Sequence, residues 1–131
     1  MHRLHGFIGL AFLSLLGGCG EGEVLCAPLP PWAVAVDVRD SVTDLSVASG
    51  ARGALFLARA LSDSLRPDVL PHLSSDSILV GGTSVGVVEV RVEHPGYQSW
   101  TATSVQTQLT GGECSAWNTQ MLKARLQPVA H

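Results

Sequence analysis

The sequence predicts an all-β domain, a small antiparallel β-sandwich of about seven strands. Apolar residues alternate with polar ones at a period of two through most of the chain after residue 31. Glycine and proline, 14 and 7 of the 131 residues, fall between these runs and supply turns. Beyond the amino terminus no segment carries the apolar spacing of a long amphipathic helix. Short strands with nothing helical to cover them bury their apolar faces against each other, sheet on sheet.

The first eighteen residues stand apart from that pattern. Arg3 precedes the apolar run Gly6 to Leu16, and the small pair Gly17-Gly18 leads to Cys19. A basic start, an apolar stretch of about 7–15 residues and a small-residue exit are the parts of a cleaved secretory signal. A membrane span needs roughly 20 apolar residues, more than this run holds. Leu16-Gly17-Gly18-Cys19 resembles the lipobox of bacterial lipoproteins. The resemblance implies cleavage before Cys19, a diacylglycerol on its thiol and an acylated new amino terminus. Two or more acyl chains hold a protein durably at a membrane. The expected division is residues 1–18 as signal, 19–27 as lipidated cysteine and flexible tether, and 28–131 as the domain. Glu21 and Glu23 alternate with glycine in that tether.

Trp32 to Arg39 is the first strand, with Val34, Val36 and Val38 on one face and Asp37 and Arg39 on the other. Asp40 to Asp44 reads as a turn, and Ser46 to Leu57 as a second strand region interrupted by Gly50 and Gly53. Residues 58–66 fit a strand or a helical turn equally. Pro67, Pro71 and the polar run Ser74 to Ser77 mark a loop before a short strand at Ile78 to Val80. Val87 to Glu93 alternates most cleanly, valines inward and Glu89, Arg91 and Glu93 outward, and Pro95-Gly96 turns the chain. Tyr97 to Leu109 reads as extended, Gly111-Gly112 as a turn, and Cys114 to Leu126 as the last strand, with Leu122, Ala124 and Leu126 against Lys123 and Arg125.

The early strand ending at Asp40 and the later run Gly86-Val87-Val88-Glu89-Val90-Arg91-Val92-Glu93-His94-Pro95-Gly96-Tyr97 together resemble the carboxypeptidase regulatory-like family. That resemblance implies a transthyretin-like (prealbumin-like), Ig-like β-sandwich over about residues 32–126. The family's Thr-Gly-x-Pro turn is replaced here by Thr43-Asp44-Leu45-Ser46, and its strand tyrosine by Val88. The zinc peptidase domain that such modules accompany elsewhere would not fit in a chain this short.

Composition narrows the partners. Eleven acidic residues against eight basic give a net charge of −3, and Lys123 is the only lysine. With no clustered basic face, nucleic acid is not expected as a partner. Three cysteines are an odd count for an exported chain. Lipidation of Cys19 leaves Cys26 and Cys114, which an oxidising compartment favours as a disulfide, the alternative being two independent thiols. Closing so much of the chain into one loop contributes roughly 4–5 kcal/mol on the chain-entropy model.

Chemistry is sparse. His72, His94 and His131 lack a second ligand at metal spacing, so no metal or cofactor is expected. His94 reads as a solvated turn residue. Gly82-Thr83-Ser84-Val85-Gly86 approaches a nucleophile elbow only in letters. Asp37, Asp40 and Asp44 lack the order of a calcium loop and suit turn capping. Trp32, Tyr97, Trp100 and Trp117 have two readings, core fillers or an exposed stacking platform for sugar rings. Trp100 alternates with Thr101 and Thr103, so one set faces inward and the other outward. The expected protein is therefore non-catalytic: a β-sandwich interaction or structural module lipid-anchored at the bacterial cell envelope, outside the cytoplasm. Its partners are the membrane and envelope proteins or glycans. Gly20 follows the cysteine where an aspartate would imply inner-membrane retention, so a two-membrane cell would place it at the outer membrane. The alternative is a carbohydrate- or peptidoglycan-binding module using those aromatics, and a hydrolase stands third.

Overall fold

A computed structural model describes residues 22, 25–26, 31–69 and 76–130. Cys19, His72 and His131 lie outside the described residues, as do the residues expected to form the signal and most of those expected to form the tether. Seven strands form: β1 (Val34–Asp40), β2 (Arg52–Leu57), β3 (Ala60–Val69), β4 (Ser77–Gly81), β5 (Gly86–Glu93), β6 (Trp100–Thr107) and β7 (Gln120–Leu126). They hydrogen-bond in the order β6-β5-β2-β3-β4-β1-β7. The domain is all-β, as the alternating pattern requires.

Strand β3 makes the order into two layers. Its first half pairs with β2, from Leu57↔Ala60 to Gly53↔Leu65, and its second half pairs with β4, from Arg66↔Val80 to Val69↔Ser77. One layer is β6-β5-β2 with the first half of β3. The other is the second half of β3 with β4, β1 and β7. The outer strands β6 and β7 come back into contact, and Leu109 bridges Trp117 beside them, so the sandwich is nearly closed. Among the described residues every strand pair is antiparallel but one. β1 and β7 run parallel in unbroken register, from Val34↔Gln120 to Asp40↔Leu126. The long connection after β6 crosses to the other layer, and β7 therefore starts at the same end as β1.

The alternation sorts side chains as expected. Val34, Val36 and Val38 of β1, Leu55 of β2, Leu79 of β4, Val88, Val90 and Val92 of β5, and Ala124 and Leu126 of β7 fill the space between the layers. Burying one such valine or leucine contributes about 1.5–3 kcal/mol. The start of β1 is buried on both faces. Ala35 joins Ile78 and Val80 in a second, outward cluster against which Trp32 packs.

Several expected boundaries move. Ser46 only bridges back to Arg39, and Ala48–Gly50 forms a single 3-10 turn, so the second strand begins at Arg52. Residues 60–69 are one strand that runs through Pro67, where a loop was expected. Each half of β3 is the edge of its own layer, and an edge tolerates a residue without an N–H. The extended run from Tyr97 becomes a strand only at Trp100, and the last strand begins at Gln120 rather than Cys114.

The topology gives the sandwich two distinct ends. At the entry end lie the starts of β1 and β7, the β2–β3 turn, the β4–β5 loop and the β6–β7 loop. At the far end lie the β1–β2 connection, the Pro95-Gly96 turn and the exit of β7.

Candidate functional site

Three regions hold side chains able to recognise a partner, and each follows from the strand register. The entry end carries the cysteine pair. Cys26 and Cys114 are disulfide-bonded with Cα atoms 5.4 Å apart. Cys114 sits in the β6–β7 loop, which is braced by Thr110 N donating to Ala116 O at 2.7 Å and Asn118 N donating to Gln108 O at 3.0 Å. β1 and β7 are tied at this end by Thr119 Oγ1 donating to Trp32 O at 2.7 Å and Gln120 N donating to Ala33 O at 2.9 Å. The bond thus fixes the segment before β1 to the loop before β7.

At the far end Asp40 organises the chain. Its Oδ1 accepts from Val42 N at 2.7 Å and Thr43 N at 2.9 Å, the turn-capping role expected of it. Its Oδ2 accepts from the Tyr97 hydroxyl at 2.7 Å. The Tyr97 hydrogen bond first, then the two backbone N–H groups, hold the Asp40 carboxyl below its ordinary range. The same bond raises the Tyr97 phenol above its own. His94 sits directly before the Pro95-Gly96 turn, as expected, but it is more than a solvated residue. Its ring is half-buried, edge-on to Tyr97 at 4.8 Å between centroids, with Nδ1 2.7 Å from Pro95 O. It also crowds Gly50, where an added Cβ would lie 2.5 Å from Nε2. Beside these rings Arg52, Glu93 and Ser99 complete an open groove of about 640 Å³. This groove went unread in the sequence, because Arg52 and His94 meet only through β2–β5 pairing.

The third region is the outer face of β1 and β7. Arg39 bonds Asp37 at 3.0 Å and Asp76 at 3.1 Å, and Arg125 bonds Asp44 at 2.7 Å. Asp37 first, then Asp76, raise the Arg39 guanidinium pKa further. Lys123 stands in register with Asp37. The three aspartates considered as a calcium loop are thus spread over a cap and two ion pairs. Among the described residues no three His, Cys, Asp or Glu side chains gather at metal-binding range.

The four aromatics are divided. Tyr97, Trp100 and Trp117 pack against the main core, while Trp32 packs on the outward cluster with the Arg66 guanidinium 4.6 Å from its ring centre. All four are half-buried. Trp100 turns inward and Thr101 and Thr103 outward, which answers the alternation left open in the sequence. Ser84, the serine of the elbow-like letters, meets the Ser62 hydroxyl at 2.9 Å and lies at the entry end, away from His94.

No model of a known protein family matches the chain, and no curated protein is similar to it in sequence.

Proposed function

We propose that this chain is an exported envelope lipoprotein, held in the membrane through acylated Cys19, whose β-sandwich is a non-catalytic interaction or structural module. The observation that carries the reading is the Cys26–Cys114 bond. An exported protein with three cysteines leaves one over, and a lipobox-like Leu16-Gly17-Gly18-Cys19 gives that one a use. The two that remain are bonded to each other, as an oxidising compartment favours.

The two-layer, seven-strand body agrees with what the resemblance to carboxypeptidase regulatory-like domains implies, and membership of that family is part of the proposal. The surface best suited to a partner is the groove of Arg52, Glu93, His94, Tyr97 and Ser99, which mixes charge with aromatic edges at the far end. A sugar platform built from all four aromatics is less well supported, since they lie on two separate clusters.

Mass spectrometry of the protein purified from native membranes tests the reading. The expected species begins at Cys19, carries acyl chains there and holds one internal disulfide. An unmodified Met1 or a free Cys114 thiol would overturn it.

A further inference from the structure

We infer that the entry end of the sandwich rests against the lipid surface and that the far end, with its groove, points away from it. This orientation depends on the proposed acylation of Cys19 and adds to it a docking surface and its occupant.

A chain extends at most about 3.3–3.6 Å per residue. The seven residues from Cys19 to Cys26 therefore span at most about 25 Å. Cys26 is not a free point on a tether, because it is bonded to Cys114 in the β6–β7 loop. The lipid is thus tied to a loop at one end of a rigid body. Without the bond the leash would continue to the start of β1 at Val34, and its maximum reach would rise to about 54 Å.

The same end carries apolar side chains turned to solvent. Leu25 adjoins Cys26, and Val85 and Val87 lie around the start of β5. Leu109 follows β6, and Met121 lies at the start of β7. These five are between 48% and 89% exposed, with Val42, Leu45 and Val129 among the exposed apolar side chains at the far end. They come from the segment before β1, from two connections and from both layers, so they surround the end rather than marking one strand. Such a rim suits a body held within a short leash of a bilayer, where these side chains meet the lipid surface. The polar groups of the proposed partner groove, Arg52, Glu93 and His94, lie at the opposite end.

Tryptophan positions supply internal reporters. Trp117 lies in the loop before β7 at the entry end, whereas Trp100 opens β6 opposite Val92, near the far end. The acylated full chain is reconstituted in vesicles of phosphatidylethanolamine and phosphatidylglycerol that contain a dansyl-labelled lipid. One form keeps only Trp117 (Trp32→Phe, Trp100→Phe) and the other only Trp100 (Trp32→Phe, Trp117→Phe), and each is checked for native circular dichroism. Energy transfer to the lipid is expected to be higher from Trp117, and the difference to shrink in Val87→Asp with Leu109→Asp. Equal transfer, or more from Trp100, in a chain that mass spectrometry shows to be acylated overturns the orientation alone. An unacylated Cys19 overturns the anchor and the orientation together. Dimerisation in detergent that Val87→Asp abolishes would give the rim to a second copy and overturn the lipid contact.

Discussion

The hydroxyl of Tyr97 donates to the carboxylate of Asp40 across 2.7 Å, joining the end of β1 to the turn before β6. That carboxylate also caps its own turn through Val42 N and Thr43 N, so one side chain fixes two connections at the far end. The bond has a defined pH range. Asp40 is held below its ordinary 3.8, so its stabilisation is present above that pH and lost as pH falls through the lower folded value. Tyr97 is raised above 10.0, so its contribution is present below pH 10.0 and lost as pH rises through the higher folded value. Tyr97→Phe removes the largest cause of the Asp40 shift. Its acid-unfolding midpoint, followed by circular dichroism, is expected at higher pH than that of the parent. An unchanged carboxyl titration of Asp40 by NMR would show that the hydroxyl does not hold it.

The β2–β3 hairpin closes through Ala58 and Arg59, both at positive φ, 51° and 69°. This is the geometry of a two-residue turn that favours Asn-Gly, and a left-handed L-residue carries about 1–2 kcal/mol of strain. The double change Ala58→Asn, Arg59→Gly is expected to raise stability by about 1 kcal/mol or more, read from the urea midpoint at constant slope. A loss of stability would mean the turn is not formed this way.

Leu79 is fully buried between the layers, and Val87 is more than half exposed on β5. Leu79→Ala should cost about 2–5 kcal/mol from lost transfer energy and the cavity left behind. Val87→Ala should stay within about 0.5 kcal/mol in water. Comparable losses at both sites would contradict the assigned faces.

Gly53 lies opposite Leu65 in the β2–β3 ladder, and an added Cβ would lie 2.6 Å from the Leu65 side chain. Gly53→Ala is expected to destabilise by about 1–3 kcal/mol through overpacking. Gly53→Ala with Leu65→Ala should show non-additive coupling in a double-mutant cycle, whereas strict additivity would separate the two residues.

Removing the Cys26–Cys114 bond with paired serines should lower stability by up to roughly 4–5 kcal/mol, measured under oxidising conditions. Adding a reductant should then destabilise the parent and leave the serine variant unchanged.

What the sequence made legible follows from how local each signal is. β5 was readable because its valines and charges alternate without interruption, and Val34, Val36 and Val38 were readable for the same reason. The β2–β3 turn was not, since Ala-Arg lacks the glycine or asparagine that usually marks positive φ. The bulge in β6 was also hidden. Ser104 at φ 60° shifts the alternation, so Trp100 and Ala102 face inward before it and Val105 and Thr107 after it. The far-end groove was illegible because its residues come from strands whose pairing no local pattern encodes. The Cys26–Cys114 pair was readable only by setting Cys19 aside as a lipid site, since three cysteines alone allow three pairings.

The parallel seam between β1 and β7 sets a timetable. β1 is an interior strand of its layer, yet one of its two neighbours is the last of the described strands. Until Gln120–Leu126 arrives, one side of β1 has no ladder partner and its valines have no Leu122 or Ala124 beside them. On the proposed export, amino terminus first, this seam would stay open until Gln120–Leu126 had crossed. Pairings so distant in sequence are slow to form, which makes the β1–β7 seam a late step of folding.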